Sequence, residues 1–302
     1  MASPPIAGVY TPVPTFFKND FSIDYESQIN HARFLHENGI AGLVIMGSTG
    51  EAAHLTRQER ASVIKAVHEA LPQIVIIAGV AQNSVQDTLD EIDSVKSAGA
   101  SYAVVLPSCY FGASIKQEGI VDFFQTVADK SPLPIMIYVY PGVSNNINVE
   151  PQTVAKLSKH PNIVGTKLSY GDVAHHTQVV CDSSENFSVF TGLGQILLPT
   201  LSVGCCGTID ALSGSFPKLF VKLFEHYQSG NYEDARKLQF IACKGEEIVV
   251  RFGVVGIKKL VHSRGFGESY LGRVPLNHDI DAEAWNSYAG TIKLLESTVA
   301  TL

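Results

Sequence analysis

The sequence predicts an α/β fold, a (β/α)8 TIM barrel with additional C-terminal helices. Eight short apolar runs recur along the first 212 residues, each rich in β-branched residues and bounded by Gly or Pro. Such runs read as strands buried on both faces, as in a parallel sheet. Helical patterns separate them, and parallel strands need crossovers of that kind. Eight such units is the number that closes a barrel.

The first two runs are Gly8–Pro14 and Ala41–Gly47. Thr56-Arg-Gln-Glu59 follows as a capping box, in which the Thr oxygen and Glu carboxylate satisfy free backbone N–H groups at a helix start. Ile64, Val67 and Leu71 then share one helix face. After the third run, Ile74–Val80, Ser84 and Asp87 open a helix carrying Leu89, Ile92 and Val95, and Gly99 stops it. The fourth and fifth runs are Tyr102–Pro107 and Pro134–Pro141. Pro151 suits the first turn of a helix containing Val154 and Leu157. The sixth run is Ile163–Lys167, with Asp172 placed to cap the next helix. Phe187–Gly192 and Gly207–Leu212 complete the set. The apolar stretch from Gln195 to Leu212 is broken by Pro199, Gly204, Gly207 and Asp210, so it reads as a buried helix running into a strand and not as a membrane span.

Beyond Leu212 the pattern is helical, over Phe216–Tyr227, Asn231–Val250 and Ala282–Val299. Residues 1–212 are therefore expected to form the barrel, and residues 213–302 a helical extension packed on it within one structural unit. Extra helices on a barrel often pack against another subunit, so an oligomer is expected. An open, doubly wound sheet is the competing architecture. Its dinucleotide fingerprint is missing: Gly192-Leu-Gly-Gln-Ile-Leu lacks the third glycine.

Composition narrows the function. Hydrophobic residues at 45% against 17% charged suit a large buried core. The net charge is −7 with no basic run, which disfavours nucleic acid, and no basic amphipathic segment suggests a membrane surface. The N-terminus shows neither a secretion signal nor a transit peptide, so the cytoplasm is the expected compartment. Five cysteines with no C-x-x-C spacing read as reduced, mostly buried thiols. Asn186-Phe-Ser matches a glycosylation sequon by chance.

Barrels carry their reactive groups at the C-terminal strand ends. Lys167 ends the sixth run, where burial disfavours an ammonium and a neutral amine attacks a ketone. A snorkelling or ion-paired lysine is the ordinary alternative. Gly47-Ser-Thr-Gly-Glu-Ala52 follows the second run, and its small residues and hydroxyls suit a carboxylate. An ordinary polar loop is its alternative. Tyr138, ending the fifth run, offers a phenol for proton transfer, although Tyr140 has the same inward parity and parity does not choose between them. His175 and His176 are adjacent and point apart, so they share no metal, and inward carboxylates or histidines at strand ends are too sparse for a metal-dependent lyase. No G-x-S-x-G elbow is present.

Gly-Ser-Thr-Gly-Glu at 47–51, Tyr-x-x-Pro at 138–141 and Gly-Thr-Lys at 165–167 are weak singly and specific together. With them, the chain from about Gly8 to Val299 resembles the Schiff-base superfamily of dihydrodipicolinate synthase and N-acetylneuraminate lyase. Within it, Ser158–Lys167 followed by Gly171-Asp-Val is most similar to 4-hydroxy-2-oxoglutarate aldolases and fungal L-threo-3-deoxy-hexulosonate aldolases. The resemblance implies catalytic Lys167, Tyr138, Thr49 and Tyr110, the last acting from a neighbouring subunit. It implies substrate contacts by Ser48, Thr49, Gly192 and Ile209. Ser169, which shares the parity of Lys167, is expected on the aldehyde portion, with Gln195 and Asp210 as weaker candidates. It implies no cofactor, no metal, a 2-keto acid and an aldehyde as small-molecule partners, and a homotetramer built as a dimer of dimers. The superfamily's synthases carry an arginine where this chain has Val143, and a valine makes no bidentate carboxylate contact, which argues against the condensing synthase; that condensation, or a sugar-acid dehydration on the same site, is the alternative activity.

Overall fold

The structure, a computed structural model, describes residues 2–302. Eight parallel strands close a barrel in chain order: β1 Gly8–Pro12, β2 Gly42–Ile45, β3 Val75–Val80, β4 Tyr102–Val105, β5 Ile135–Val139, β6 Ile163–Leu168, β7 Ser188–Thr191 and β8 Gly207–Ile209. The predicted (β/α)8 fold is therefore present, and β1 pairs with both β2 and β8. Every strand is buried along nearly its whole length, because the interior fills one face and helices cover the other.

The helices α1 Tyr25–Glu37, α2 Arg57–Ala70, α3 Val85–Ser97, α4 Gln117–Lys130, α5 Pro151–Leu157, α6 Val173–Asp182 and α7 Leu197–Ser202 alternate with the strands. Their starts follow the sequence signals. Thr56 and Glu59 form the full capping box on α2. The Ser84 hydroxyl accepts from the Asp87 N–H, and Asp172 accepts from the Ala174 N–H. Pro151 occupies the first turn of α5.

After β8 come α8 Pro217–Gln228, which packs on β1, and then α9 Tyr232–Ser263, α10 Ala282–Asn286 and α11 Ala289–Val299. Two of these differ from the expected spans. α9 runs on to Ser263, because Gly253 breaks helical geometry at φ 56° and the chain then resumes a helix. The segment 282–299 is two helices, divided where Ser287 and Tyr288 cap the ends. Against the mostly buried thiols expected, only Cys205 is buried; Cys181 is exposed and all five are unpaired. No described helix is long and apolar enough to cross a membrane.

Candidate active site

Simple alternation along β6 would point Lys167 away from the barrel axis, because Val164 packs in the interior. The register with β5 corrects this. Ile135 faces Ile163, but Met136 faces Gly165, so Val164 is an extra residue and β6 carries a bulge. Parity inverts beyond it. Lys167 pairs with Tyr138, whose side chain belongs to the inner cluster with Met136, Phe190 and Ile209. Gly165 makes the bulge possible, since a Cβ there would lie 2.6 Å from the Ser188 carbonyl oxygen.

Lys167 is 5% exposed, with Nζ 4.5 Å from the centroid of the Tyr138 ring. A cavity of about 320 Å³ opens there. Ser48, Thr49, Tyr138, Ser169, Gly192 and Ile209 line it with Lys167, so these expected residues converge. Tyr140 lines it too, its ring 5.8 Å from that of Tyr138, and burial pushes its phenol above the ordinary value. Gly192 lets Ser169 close up, because a Cβ there would sit 2.1 Å from Ser169 Oγ. Asp210 lines this cavity and Gln195 does not. Tyr110 also stays outside it: the ring is 76% exposed and packs edge-on against Phe111 at 5.3 Å.

The turn after β2 has its left-handed residues at Met46 (φ 63°) and Glu51 (φ 53°). Gly50 is needed for close packing, as a Cβ would lie 3.2 Å from the Met46 nitrogen. Glu51 is buried and anchors the turn. It accepts from Lys258 Nζ at 2.7 Å, from the Arg273 N–H at 3.1 Å and from His54 Nδ1 at 3.1 Å. Lys258 also donates to the Leu271 carbonyl and stands 4.4 Å over the Phe17 ring. The sequence reading missed this clasp between the turn and α9.

It also missed Glu246 of α9, which faces Asp210 across the cavity wall; Asp210 is 1% exposed and Glu246 2%. Asp210 accepts the Gly194 N–H at 3.0 Å and the Ser213 N–H at 3.1 Å, one on each oxygen. Burial raises both carboxyls, Glu246 well above the usual carboxylate range, where the charge of Asp210 adds to the effect. The shared proton therefore resides on Glu246, because the backbone donors favour the ionised form of Asp210. A readable signal existed: Glu246 follows Ala235, Leu238, Gln239 and Ala242 at the spacing of the buried helix face.

A second cavity, about 420 Å³, adjoins the first at Ser48, Tyr138 and Val254, and Val143 lines it. Among the described residues no arginine lines either cavity. Among the described residues no three His, Cys, Asp or Glu side chains cluster to hold a metal ion.

A closed parallel barrel with a buried lysine, a phenol and a hydroxyl turn at its C-terminal mouth defines a (β/α)8-barrel enzyme. The chain belongs to the dihydrodipicolinate synthetase family, which it matches over residues 5–294. It is 34% identical, over 88% of its own length and 88% of the relative's, to an Emericella nidulans protein named probable 4-hydroxy-2-oxoglutarate aldolase, mitochondrial. It is also 34% identical to the L-threo-3-deoxy-hexylosonate aldolase of Hypocrea jecorina, covering 88% of this chain and 90% of that one. The crystal structure of a dihydrodipicolinate synthase family protein from Coccidioides immitis superposes with a TM-score of 0.89 at 30% identity, covering 100% of this chain and 99% of that one.

Proposed function

We propose that the protein is a class I aldolase that cleaves a 4-hydroxy-2-keto acid into pyruvate and an aldehyde through a Schiff base on Lys167. The observation that carries this reading is the lysine itself: buried at the barrel mouth, against the Tyr138 ring, on the wall of a cavity shared with Ser48 and Thr49. The names of the fungal relatives support the reaction class.

In the proposed cycle the Lys167 amine attacks the C2 carbonyl and water leaves, giving an iminium. Ser48 and Thr49 hold the C1 carboxylate. Tyr138, having given its own proton to the departing water, accepts the C4 hydroxyl proton, the C3–C4 bond breaks, and the bond's electrons enter the iminium to form an enamine. The aldehyde departs, C3 is protonated, and hydrolysis frees pyruvate. The imine is the electron sink, so this route calls on no metal. Gly192 and Ile209 shape the wall, and Ser169 contacts the aldehyde portion. Tyr110 completes the proton relay from a neighbouring subunit of a homotetramer, which its exposure in the single chain supports. Cytoplasmic residence is part of the same proposal, although the Emericella relative's name places that protein in mitochondria.

The test is pyruvate release from 4-hydroxy-2-oxoglutarate and from a 2-keto-3-deoxy-hexonate, by the wild type and by Lys167→Ala. The wild type should release pyruvate and an aldehyde from at least one of them, and Lys167→Ala from neither. Turnover by a folded Lys167→Ala protein sinks the reading.

A further inference from the structure

The aldolase reading leaves the tail of the substrate open, and the Asp210–Glu246 pair bears on it. Both side chains are fully buried, both line the Lys167 cavity, and neither is used by the cleavage chemistry. Asp210 is satisfied by two backbone N–H groups. Glu246 pairs with Asp210 through the proton the two share, and among the described residues no N–H or O–H group donates to the oxygen left over. A buried acceptor without a donor is costly, so a ligand that supplies one gains by meeting it.

We propose that Glu246, on the wall of the Lys167 cavity beside Asp210, is a specificity residue that accepts a hydrogen bond from a hydroxyl on the substrate's aldehyde portion. The enzyme thereby selects a keto acid with an uncharged, polyhydroxylated tail over a dicarboxylate. The inference rests on the aldolase reading and specifies its substrate class.

The electrostatics of the wall agree. With one proton between them, the two carboxyls carry a single negative charge. Among the described residues Lys167 is the only lysine or arginine on the walls of either cavity, and the imine consumes it. The substrate's C1 carboxylate takes the hydroxyl turn. A second carboxylate at the tail would find no lysine or arginine but Lys167, would face Asp210, and would offer Glu246 only another acceptor. A hydroxyl both donates and carries no charge. The groups facing the pair are Lys167, from β6, and Cys243, one turn earlier on α9.

The test compares kcat/KM for a 2-keto-3-deoxy-hexonate and for 4-hydroxy-2-oxoglutarate. The wild type should favour the hexonate by tenfold or more. Glu246→Leu should lower kcat/KM for the hexonate at least tenfold, chiefly through KM, and collapse the preference. Glu246→Gln, which keeps an acceptor oxygen, should recover most of that loss. Equal or better use of the dicarboxylate by the wild type overturns the inference without any variant and leaves the aldolase reading standing. So does an equal loss on both substrates in Glu246→Leu, or a Glu246→Gln protein no better than Glu246→Leu. Cleavage of neither substrate by the wild type overturns the aldolase reading and this inference with it.

Discussion

Replacing Lys258 with methionine should cost the fold about 3 kcal/mol and loosen the Ser48–Thr49 turn. The Lys258 and Glu51 side chains are 1% and 0% exposed, with nitrogen and oxygen 2.7 Å apart. At an effective dielectric of ~20 that separation corresponds to about 6 kcal/mol of attraction, much of it offset by removing both charges from water. Breaking one side of such a pair costs about 3–5 kcal/mol, because the remaining charge stays buried. Glu51 would keep the Arg273 N–H and His54 as partners, which puts the loss at the lower end. About 3 kcal/mol is roughly a 150-fold change in the folding equilibrium. The assay is urea unfolding at fixed protein concentration, with Glu51→Gln and the double variant completing a thermodynamic cycle. The double variant should be more stable than Lys258→Met alone. A Lys258→Met protein within about 1 kcal/mol of wild type, or strict additivity in the cycle, would refute the reasoning.

Other perturbations probe the site and its supports. Tyr138→Phe should cut turnover about 10²–10⁴-fold with little change in Tm, measured by pyruvate release; an unchanged rate removes the phenol from the mechanism. Gly165→Ala pushes a methyl toward the Ser188 carbonyl, so it should cost about 1–3 kcal/mol in urea unfolding and depress turnover by misaiming Lys167; full activity would show that the bulge does not aim the lysine. His31 is buried, and desolvation holds its imidazole down to about 4 against an ordinary 6.5, with the Gly214 carbonyl opposing this. Its folded value is the depressed one, so its contribution is intact above pH 6.5 and is lost as pH falls toward 4, about 3 kcal/mol in all. Urea unfolding of His31→Gln should lose less stability than wild type over that window, and parallel pH profiles would assign the loss elsewhere.

The fold was legible because each level of the sequence agrees with the next. The buried runs, the caps at Thr56, Ser84 and Asp172 and the proline at 151 all mark the same boundaries that the structure shows. The site was legible where chain position decides it. Lys167 and Tyr138 end adjacent strands, and Ser48 and Thr49 follow β2, so closing the barrel brings them together. What aims Lys167 inward was not legible, since a one-residue bulge at Val164 leaves no periodicity signal in so short a run. Tyr138 and Tyr140 were inseparable by parity, and both do line the cavity. Partners distant in sequence were hidden. Glu51 meets Lys258 across 207 positions, and Asp210 meets Glu246 only because α9 lies over the barrel mouth. Tyr110 illustrates the opposite limit, a residue that resemblance places in the relay but that a single chain leaves facing solvent.

Incubating the protein with pyruvate, reducing it with borohydride and mapping the added mass by peptide mass spectrometry addresses the chemistry most directly. The account predicts one stable adduct per chain, on Lys167, and none on Lys167→Ala. A folded protein that gains no mass, or gains it on another lysine, would contradict it.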